Sequence, residues 1–499
     1  MIRKIDSILS KNFFAKKYFH TSLLLLIILV ACFLRFYNTP NRYGFDPDAI
    51  RDAIITTYGA STFQVPLTGP FSSLGPFTFG PWYYYQLILF RILVPLAYAP
   101  WIYMSFISLV VIFVFYKIGE LLENKTFGLI LAGLAAISPA QIAPATGLSN
   151  PNLIAVQAVF ALWIFIIIVK KTPSNWWAFF LGVSIGIGIN NHYQLSTFLL
   201  LPVLLLFTGK TKRFAYFLIS LIGVLSTFIP IILFDLTHNH LEIIGIIHTM
   251  RNGRPNYVPN RWLLYLRDFW PNFWSHTLGI PIVLGAIILL FSVGANIFLI
   301  FKKKISKAYL LLLLTFVAIF IILRFYPGER AVYYLLFLHP FIFIFTGAFF
   351  YLFINSKLLY LKYAGIIAFI IFLIFIFFTN LSDTHSFESH TTAVSQAKQI
   401  SAKYPRSKFI LYSCKGITDY QVQAIMFILQ TMGKLDSNGV KVGIFSSSCP
   451  VAIKSKYSSW EKVETTNLLS MSDSTLRKNG WTAITLVSVY DAYAKWYTK

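Results

Sequence analysis

Long apolar segments separated by short polar or basic stretches fill the first three quarters of the chain. A helix needs roughly 20 apolar residues to cross the hydrocarbon core of a bilayer. By this criterion the sequence predicts eleven membrane-spanning helices. The predicted spans are 20–37, 100–118, 126–143, 151–169, 176–191, 194–208, 214–234, 278–301, 308–325, 331–354 and 360–379.

The pattern changes after residue 379, where Lys, Ser and Thr alternate with short apolar stretches. The segment 420–432 has the apolar spacing of a helix. Cys414 and Cys449 each follow a predicted strand, and the sequence is compatible with a disulfide between them or with two unrelated buried thiols. The predicted strands are 408–412, 441–445 and 483–487.

Lys and Arg residues cluster before the first span and in five loops between later spans. Cytoplasmic loops of membrane proteins carry an excess of these residues. All these clusters fall on one side if the apolar stretch 81–97 does not cross, and its Arg91 and Pro95 favour a helix lying in the interface. The alternative is that this stretch crosses and one later segment does not. The first arrangement predicts a multi-pass protein of the plasma membrane with a cytoplasmic N-terminus.

This topology divides the chain into two predicted domains. Residues 1–379 form a transmembrane domain with two long external loops, 38–99 and 235–277. Residues 380–499 form a small extracytoplasmic α/β domain. The predicted fold class is therefore mainly α, a polytopic membrane protein of about eleven transmembrane helices with a small C-terminal α/β domain.

The amino-acid composition agrees with a membrane protein. Hydrophobic residues make up 57% of the 499 residues and charged residues 12%, whereas soluble globular chains carry about 25% charged residues. A soluble enzyme, a disordered chain and a disulfide-rich secreted domain are therefore excluded. The net charge of +24 lies mainly in the predicted cytoplasmic flanks, so the expected partner of the basic residues is anionic membrane lipid and not nucleic acid.

Acidic residues are rare before residue 380, yet several lie together in the first external loop. Asp46 and Pro47 have the pattern of a helix N-cap followed by proline at the first helical position. The helix then places Asp48, Arg51 and Asp52 on one face. A solvated helix start for Asp48 and a local Arg51–Asp52 ion pair are the purely structural alternatives. A carboxylate beside the lipid headgroups is suited to act as a base toward a lipid-borne substrate.

The same loop continues with Gly-Pro turns and an aromatic run that includes Tyr83 and Tyr84. Such residues are typical of the membrane interface, and the functional interpretation is a wall that binds a sugar or a prenyl phosphate. His192 follows two Asn residues at the outer end of the fifth predicted span. Polar residues at that depth face a cavity, so His192 is a candidate ligand of a donor phosphate, with an interfacial histidine as the alternative.

These features together resemble the membrane-embedded GT-C glycosyltransferases. The resemblance is greatest to glycosyltransferase family 39, which includes protein O-mannosyltransferases and the aminoarabinose transferase that modifies lipid A. DAIRDA at 48–53 is similar to the acidic helix of that family's first external loop. Later segments resemble further outward-facing landmarks of the family in the same order: 145–152, 190–202, 230–240 and 328–340.

The resemblance implies an inverting glycosyltransferase that moves one sugar, a hexose or a pentose, from a polyprenyl-phosphate donor. The acceptor is a protein, a lipid or a cell-envelope glycan at the outer membrane face. The family's catalytic Asp matches Asp48, and Asp46 is the second candidate. This carboxylate would deprotonate an acceptor hydroxyl, which attacks the anomeric carbon in line while the polyprenyl phosphate leaves.

The leaving phosphate needs cations outside the membrane, and the cations of the two external loops are all Arg, which binds phosphate through two N–H groups. Arg330 is the first candidate, with a Glu329–Arg330 pair at a helix end as the alternative. Arg251 and Arg254 come next, and Tyr333 either reaches the same cavity or is an ordinary residue of a span. The predicted substrate-binding residues are Arg51, Asp52, Tyr83, Tyr84, His192, Arg251, Arg330 and Tyr333.

Other chemistry is less well specified. Asp235, His238 and His240 have the spacing of ligands to a divalent ion, but no further ligand is fixed, so no metal is assigned. A transporter of polyprenyl lipids or glycans is the alternative function. Transporters are expected to show internal repeats and charged or broken helices near the bilayer midplane, which this sequence lacks. A non-catalytic scaffold whose external domain binds a partner is the third interpretation.

Overall fold

The computed structural model describes residues 13–73, 75–252, 262–302, 305–326, 330–381, 388–444, 472–478 and 480–494. Over these residues the protein is mainly helical, with one small sheet near the C-terminus, as the sequence predicts. The helices that precede the sheet are α1 (Phe13–Phe36), α2 (Pro47–Thr62), α3 (Trp82–Leu93), α4 (Ala99–Leu122), α5 (Lys125–Ile137), α6 (Pro139–Thr146), α7 (Ile154–Lys171), α8 (Asn175–Asn191), α9 (Leu200–Leu205), α10 (Arg213–Ser226), α11 (Ile229–Thr237), α12 (Leu241–Asn252), α13 (Trp270–Leu278), α14 (Ile282–Phe301), α15 (Lys307–Phe325), α16 (His339–Ile354) and α17 (Leu359–Leu381).

In the C-terminal region, the described residues form three strands and four helices. These elements are α18 (Glu388–Lys403), β1 (Phe409–Ser413), α19 (Tyr420–Thr431), β2 (Val440–Ile444), α20 (Asp473–Lys478), β3 (Thr482–Ile484) and α21 (Leu486–Ala494). Short turns connect several of the earlier helices, namely the 3₁₀ turns Asn150–Leu153, Tyr193–Leu199, Val332–Tyr334 and Leu336–Leu338, the helical turn Trp262–Leu264 and the π turn Tyr265–Phe269.

Among the described residues, seven helices are long and apolar enough to cross a membrane, or nine if each of two bent helix pairs is one span. The structure thus supports seven to nine spans where the sequence predicts about eleven. The fifth predicted span is the 17-residue helix Asn175–Asn191, and the sixth is the short segment Tyr193–Leu205. Both are apolar but shorter than a bilayer requires. The stretch 81–97 forms α3, which has 12 residues and is also too short to cross.

Two of the predicted spans are bent because proline interrupts them. Helices α5 and α6 meet at 55°, and α10 and α11 meet at 47°. Pro139 and Pro230 lie in the first turn of the second helix of each pair, where a residue without an N–H group is tolerated. Arg35, buried at the end of α1, donates to the carbonyl oxygen of Ala136 and to Oγ of Ser108, both at 2.8 Å. It thereby satisfies a carbonyl group that the end of α5 leaves open.

The core of the membrane part lies around α7 and α16, whose residues are mostly buried. Helix α4 packs against α5 and α7, α8 packs against α7 and α10, and α16 packs against α14 and α17. Helices α1, α14 and α17 are peripheral and expose large apolar side chains. An apolar exterior of this kind is what a lipid environment favours.

The C-terminal sheet is mixed and has the strand order β2-β1-β3. Strand β1 pairs in parallel with β2 and antiparallel with β3. The predicted strands and helix appear within a few residues of their expected bounds, and β3 is shorter than predicted because α21 begins at Leu486. Cys414 directly follows β1 and is nearly buried. Cys449 lies outside the described residues, so the disulfide stays a prediction.

The C-terminal region packs on the loop between α1 and α4. His390 of α18 lies edge-on to Phe45 with ring centroids 4.6 Å apart, and its Nε2 is 3.2 Å from the hydroxyl of Tyr98. Phe427 of α19 contacts Phe45 and Trp101 at centroid distances of 5.9 and 5.6 Å. The sheet region is therefore attached to the segment that leads directly into α2.

Candidate active site

Helix α2 begins as the sequence predicts. Asp46 has an extended backbone, and its Oδ1 accepts the N–H of Ala49 at 2.9 Å. Pro47 follows as the first helical residue. The carboxylate of Asp46 is thus engaged as the N-cap, whereas Asp48, in the first turn, has a side chain that is 66% exposed. Asp46 is also exposed, so Asp48 differs from it in having a carboxylate that is not part of the helix cap.

Arg51 joins two carboxylates on one face of α2. Its Nη1 lies 2.6 Å from Oδ1 of Asp48, and its Nε and Nη2 each lie 2.8 Å from Oδ1 of Asp52. The local Arg51–Asp52 ion pair, which is the structural alternative for these two residues, is present. In contrast to Asp48, Asp52 has no exposed surface. The exposed carboxylate of Asp48 is thus held by the largely buried guanidinium of Arg51. This guanidinium is in turn held by the fully buried carboxylate of Asp52.

The aromatic helix α3 supports Asp52 from the other side. The hydroxyl of Tyr84 donates to Oδ1 of Asp52 at 2.8 Å, and the fully buried Tyr83 packs beside Tyr84 with ring centroids 5.3 Å apart. Burial raises the pKa of Asp52 from 3.8 to about 6, although the charge of Arg51 opposes this shift. Asp52 is therefore ionised at neutral pH and becomes protonated under mildly acidic conditions.

Residues 69–73 pair with residues 75–80 as a hairpin, which carries the Gly-Pro turns into the site. The N–H of Gly80 donates to the carbonyl oxygen of Asn190 at 2.9 Å. A Cβ atom on Gly80 would lie 1.6 Å from Oδ1 of Asn190, so glycine is required for this close approach. The approach places Phe79 in a stack with His192, with ring centroids 5.0 Å apart.

The segment formed by the end of α11 and the start of α12 anchors this hairpin. Glu242 of α12 is buried, and its carboxylate accepts the N–H of Thr78 at 2.9 Å and the hydroxyl of Thr78 at 2.6 Å. The hydroxyl of Tyr193 donates to the carbonyl oxygen of Thr78 at 3.1 Å. Asp235 in turn accepts the N–H of Glu242 at 2.8 Å. Burial raises the pKa of Glu242, and its two bonds from Thr78 oppose that shift.

A cavity of about 410 Å³ opens between the hairpin, the Tyr193–Leu199 turn, α12 and the end of α15. His192 lines it, and Nδ1 of His192 has no hydrogen-bond partner among the described residues. Burial lowers the pKa of His192 to about 4, so its ring is neutral at neutral pH. The cavity walls combine aromatic rings with a few hydrogen-bonding side chains, among them Phe77, Phe79, Tyr193, Thr197 and Tyr326.

A second cavity of about 320 Å³ continues from the first. The two share Ser196, Thr197 and Ile322 as lining residues. The second cavity then runs past Leu199, Leu200 and Val203, which are apolar. Together the two cavities form a passage with aromatic and polar walls at one end and aliphatic walls at the other.

Two predicted phosphate ligands lie close to residues of the aromatic cavity. Arg251 directly follows Met250, which lines it. Arg330 donates to the carbonyl oxygens of Leu323 and Arg324 at 3.0 and 3.1 Å, and Leu323 also lines the cavity. These bonds place the guanidinium of Arg330 at the C-terminal end of α15. The alternative partner, Glu329, lies outside the described residues.

Tyr333 lines a different cavity from the one around His192. This cavity, of about 750 Å³, also includes Asn152 and His276. The ring of Tyr334 stacks on His192 at 4.5 Å and meets Tyr333 at 4.4 Å. Tyr334 therefore lies between Tyr333 and His192.

The predicted metal pattern does not form a ligand cluster. Nδ1 of His238 lies 2.8 Å from the carbonyl oxygen of Phe234, and Nδ1 of His240 lies 3.3 Å from Oδ2 of Asp235. Across the described parts of the chain, no group of three or more His, Cys, Asp or Glu residues is arranged to hold a metal ion. The residues present therefore assign no metal to this site.

Sequence reasoning missed two structural partners of the site. The pairing of Glu242 with Thr78 gave no signal in the sequence, because the two residues are 164 positions apart. Tyr493 near the C-terminus lies over the guanidinium of Arg51, with 5.9 Å between the guanidinium carbon and the ring centroid. Acidic residues are scarce before residue 380, and this scarcity is the sequence signal that could have drawn attention to Glu242.

The sequence matches no protein-family model and no curated protein. The structure is similar to ArnT from Cupriavidus metallidurans bound to undecaprenyl phosphate, with a TM-score of 0.58, 12% identity and coverage of 82% of this chain and 85% of that one. It is also similar to the Archaeoglobus fulgidus oligosaccharyltransferase, with a TM-score of 0.52, 13% identity and coverage of 83% and 64%. The Archaeoglobus fulgidus oligosaccharyltransferase AglB, in complex with an inhibitory peptide and a dolichol-phosphate, gives a TM-score of 0.50, 14% identity and coverage of 78% and 60%.

These similarities concern the fold. This chain spans 64% and 60% of the length of the two archaeal structures, and the identities of 12 to 14% are too low to transfer an activity. The described residues nevertheless share their architecture with known membrane glycosyltransferases over most of the chain. The protein is a multi-pass membrane protein with a GT-C-like fold.

Proposed function

We propose that this protein is an inverting glycosyltransferase that moves one sugar from a polyprenyl-phosphate donor to an acceptor at the outer membrane face. The observation that carries the proposal is the state of Asp48, an accessible carboxylate held by Arg51. Asp48 takes the proton of an acceptor hydroxyl, the acceptor oxygen forms a bond to the anomeric carbon, and the bond from that carbon to the phosphate oxygen breaks. The polyprenyl phosphate leaves with the electron pair, and the anomeric configuration inverts.

The network behind Asp48 keeps the base oriented. Arg51 binds both carboxylates, and Tyr84 fixes Asp52 from α3. A side chain that is fixed before the substrate arrives loses little entropy in the transition state. Arg51 and Asp52 are thus proposed to act on catalysis through Asp48.

The continuous passage beside His192 supports a lipid-linked donor. Its aromatic end suits a sugar and a phosphate, and its aliphatic end, at Leu199, Leu200 and Val203, suits an isoprenoid chain. Arg251 and Arg330 are the proposed phosphate ligands because Arg carries a fixed charge with several N–H donors. The solved relative ArnT binds undecaprenyl phosphate, and AglB binds a dolichol-phosphate, which agrees with a polyprenyl carrier.

Topology and family membership form part of the same proposal. The proposed topology has either nine spans, with both bent helix pairs crossing, or seven, with neither pair crossing, and both numbers put the chain ends on opposite faces. With a cytoplasmic N-terminus, the first loop, the second loop and the C-terminal domain face outward. The family resemblance seen in the sequence would then place the enzyme in glycosyltransferase family 39, acting on a protein, a lipid or a cell-envelope glycan.

A direct test supplies the purified protein with radiolabelled hexosyl- and pentosyl-phosphoundecaprenol in vesicles made from membranes of a strain that lacks the gene. Such membranes provide the unmodified acceptor. Transfer of label from the lipid fraction to an acceptor, with release of undecaprenyl phosphate, is the expected result. Movement of intact labelled lipid across the bilayer without transfer would instead identify a transporter. Neither transfer nor movement, in a protein that restores function to the deletion strain, would favour a scaffold.

A further inference from the structure

The last described helix of the chain lies directly on the acid helix. In α21, Tyr490 packs against Tyr58 of α2 with ring centroids 4.5 Å apart. Tyr493, one turn further along, lies over Arg51 at 5.9 Å. A guanidinium within about 6 Å of an aromatic ring centroid is attracted to the face of the ring. The C-terminal region thus reaches the same arginine that binds Asp48 and Asp52.

Tyr493 also contacts the hairpin of the first external loop. Its ring centroid is 6.4 Å from that of Phe71. The residue after Phe71, Ser72, lines the aromatic cavity. Tyr493 therefore lies between the Arg51 network on one side and the wall of the cavity on the other.

The docking of the C-terminal region is fixed at both ends of α2. Phe427 of α19 packs on Phe45, immediately before the N-cap, while Tyr490 packs on Tyr58, near the end of the helix. Both Phe427 and Tyr490 are almost fully buried. Because these two contacts hold the domain against α2, the place of the Tyr493 ring above Arg51 is determined by the fold.

We propose that Tyr493 is a positioning residue of the active site, contributed by the C-terminal domain. This inference rests on the glycosyltransferase function proposed above. The ring holds the guanidinium of Arg51 where it reaches both carboxylates, and it covers that guanidinium from water. The C-terminal domain thus contributes a side chain to the active site, in addition to any contact it makes with an acceptor.

The test compares Tyr493→Leu, Tyr493→Phe and a control, Tyr490→Leu, in the full-length protein. The assay is label transfer from hexosyl- and pentosyl-phosphoundecaprenol in vesicles from the deletion strain. Tyr493→Leu lowers kcat about tenfold with the donor KM unchanged, because a cation–π contact contributes to holding Arg51 and not to binding the donor. Tyr493→Phe keeps the ring and retains kcat within about twofold. Tyr490→Leu lowers Tm at least as much as Tyr493→Leu does but lowers kcat less, since Tyr490 lies on Tyr58 and reaches Arg51 only through the docking of the domain.

Each other outcome overturns the inference. Equal losses of kcat in Tyr493→Leu and Tyr490→Leu that follow equal losses of Tm would show a structural contact only. A loss in Tyr493→Phe as large as in Tyr493→Leu would show that the hydroxyl, and not the ring over Arg51, matters. Wild-type activity in Tyr493→Leu would refute the role of Tyr493 while leaving the transferase standing. No transfer by the wild-type protein would refute the transferase itself, and the inference with it.

Discussion

The hydroxyl of Tyr84 donates a 2.8 Å hydrogen bond to Asp52, a carboxylate with no exposed surface. Tyr84 lies on α3 and Asp52 on α2, so the bond joins the two helices of the loop between α1 and α4. The same Oδ1 atom of Asp52 also accepts from Arg51. A change at Tyr84 is therefore expected to alter the position of Arg51 and, through Arg51, the orientation of Asp48.

Replacing Tyr84 by phenylalanine removes this bond and keeps the ring. A hydrogen bond to a charged group contributes about 1.5–3 kcal/mol, so Tyr84→Phe is expected to lower kcat by about tenfold or more with little change in the donor KM. Steady-state sugar transfer measures both constants. The matched control is Tyr103→Phe, because the hydroxyl of Tyr103 binds Gln86 and not Asp52. Equal losses of kcat in the two variants would contradict an effect of Tyr84 through Asp52 and Arg51.

The transfer rate is expected to fall as the pH decreases through about 6. Burial raises the pKa of Asp52 to about 6, so Asp52 is ionised above this pH and protonated below it. Only the ionised form pairs with Arg51, and the network that orients Asp48 weakens as the proton is taken up. A pH–rate profile of the wild-type protein checks this, and in Asp52→Asn the rate is expected to be lower and to lose that inflection. An unchanged inflection in Asp52→Asn would assign it to another group.

Glu242 is expected to control donor binding. Its carboxylate accepts both bonds from Thr78, next to Phe79 in the cavity wall. In Glu242→Gln either the N–H or the hydroxyl of Thr78 faces an amide N–H₂ group and loses its hydrogen bond. The loss of a hydrogen bond to a charged group corresponds to an increase of about tenfold in the KM for the sugar donor. The exposed Asp268 of the same loop pairs only locally with Arg267, and Asp268→Asn serves as the control. Equal KM values for both variants and the wild type would show that the hairpin keeps its place without Glu242.

Arg35 is expected to contribute to stability and not to chemistry. Arg35→Leu leaves the carbonyl oxygen of Ala136 and the hydroxyl of Ser108 buried without this donor. A buried acceptor left without its partner costs about 1–3 kcal/mol, so a clear decrease in Tm is expected in thermal unfolding of the detergent-solubilised protein. Arg213→Leu, at an exposed arginine on α10, should leave Tm unchanged. A Tm for Arg35→Leu equal to that of the wild type would contradict the role assigned to Arg35.

The acid helix could be predicted in detail because its determinants are local. The cap at Asp46, proline at the first helical position and the pairing of Arg51 with Asp48 and Asp52 all depend on residues within one or two turns of each other. Helical periodicity alone brings them together. The mainly helical fold with a small C-terminal sheet was predictable for the same reason, since apolar length and strand alternation are local patterns.

Contacts across the chain could not be predicted in this way. The bonds of Glu242 to Thr78 and of Arg35 to Ala136 join residues that are more than 100 positions apart, and no periodicity encodes such pairs. The position of the Tyr334 ring between Tyr333 and His192 is a further contact of this kind. The number of spans was less certain than their apolar character, because Asn175–Asn191 and Tyr193–Leu205 are apolar but short.

The most direct measurement of the central claim is the initial rate of sugar transfer for the pair Asp48→Asn and Asp46→Asn. Asparagine caps a helix about as well as aspartate, so Asp46→Asn is expected to transfer sugar at the wild-type rate. Asp48→Asn removes the proposed base and is expected to lower the rate by about 100-fold or more. A wild-type rate for Asp48→Asn, or a loss found in Asp46→Asn alone, would contradict the assignment of Asp48 as the base.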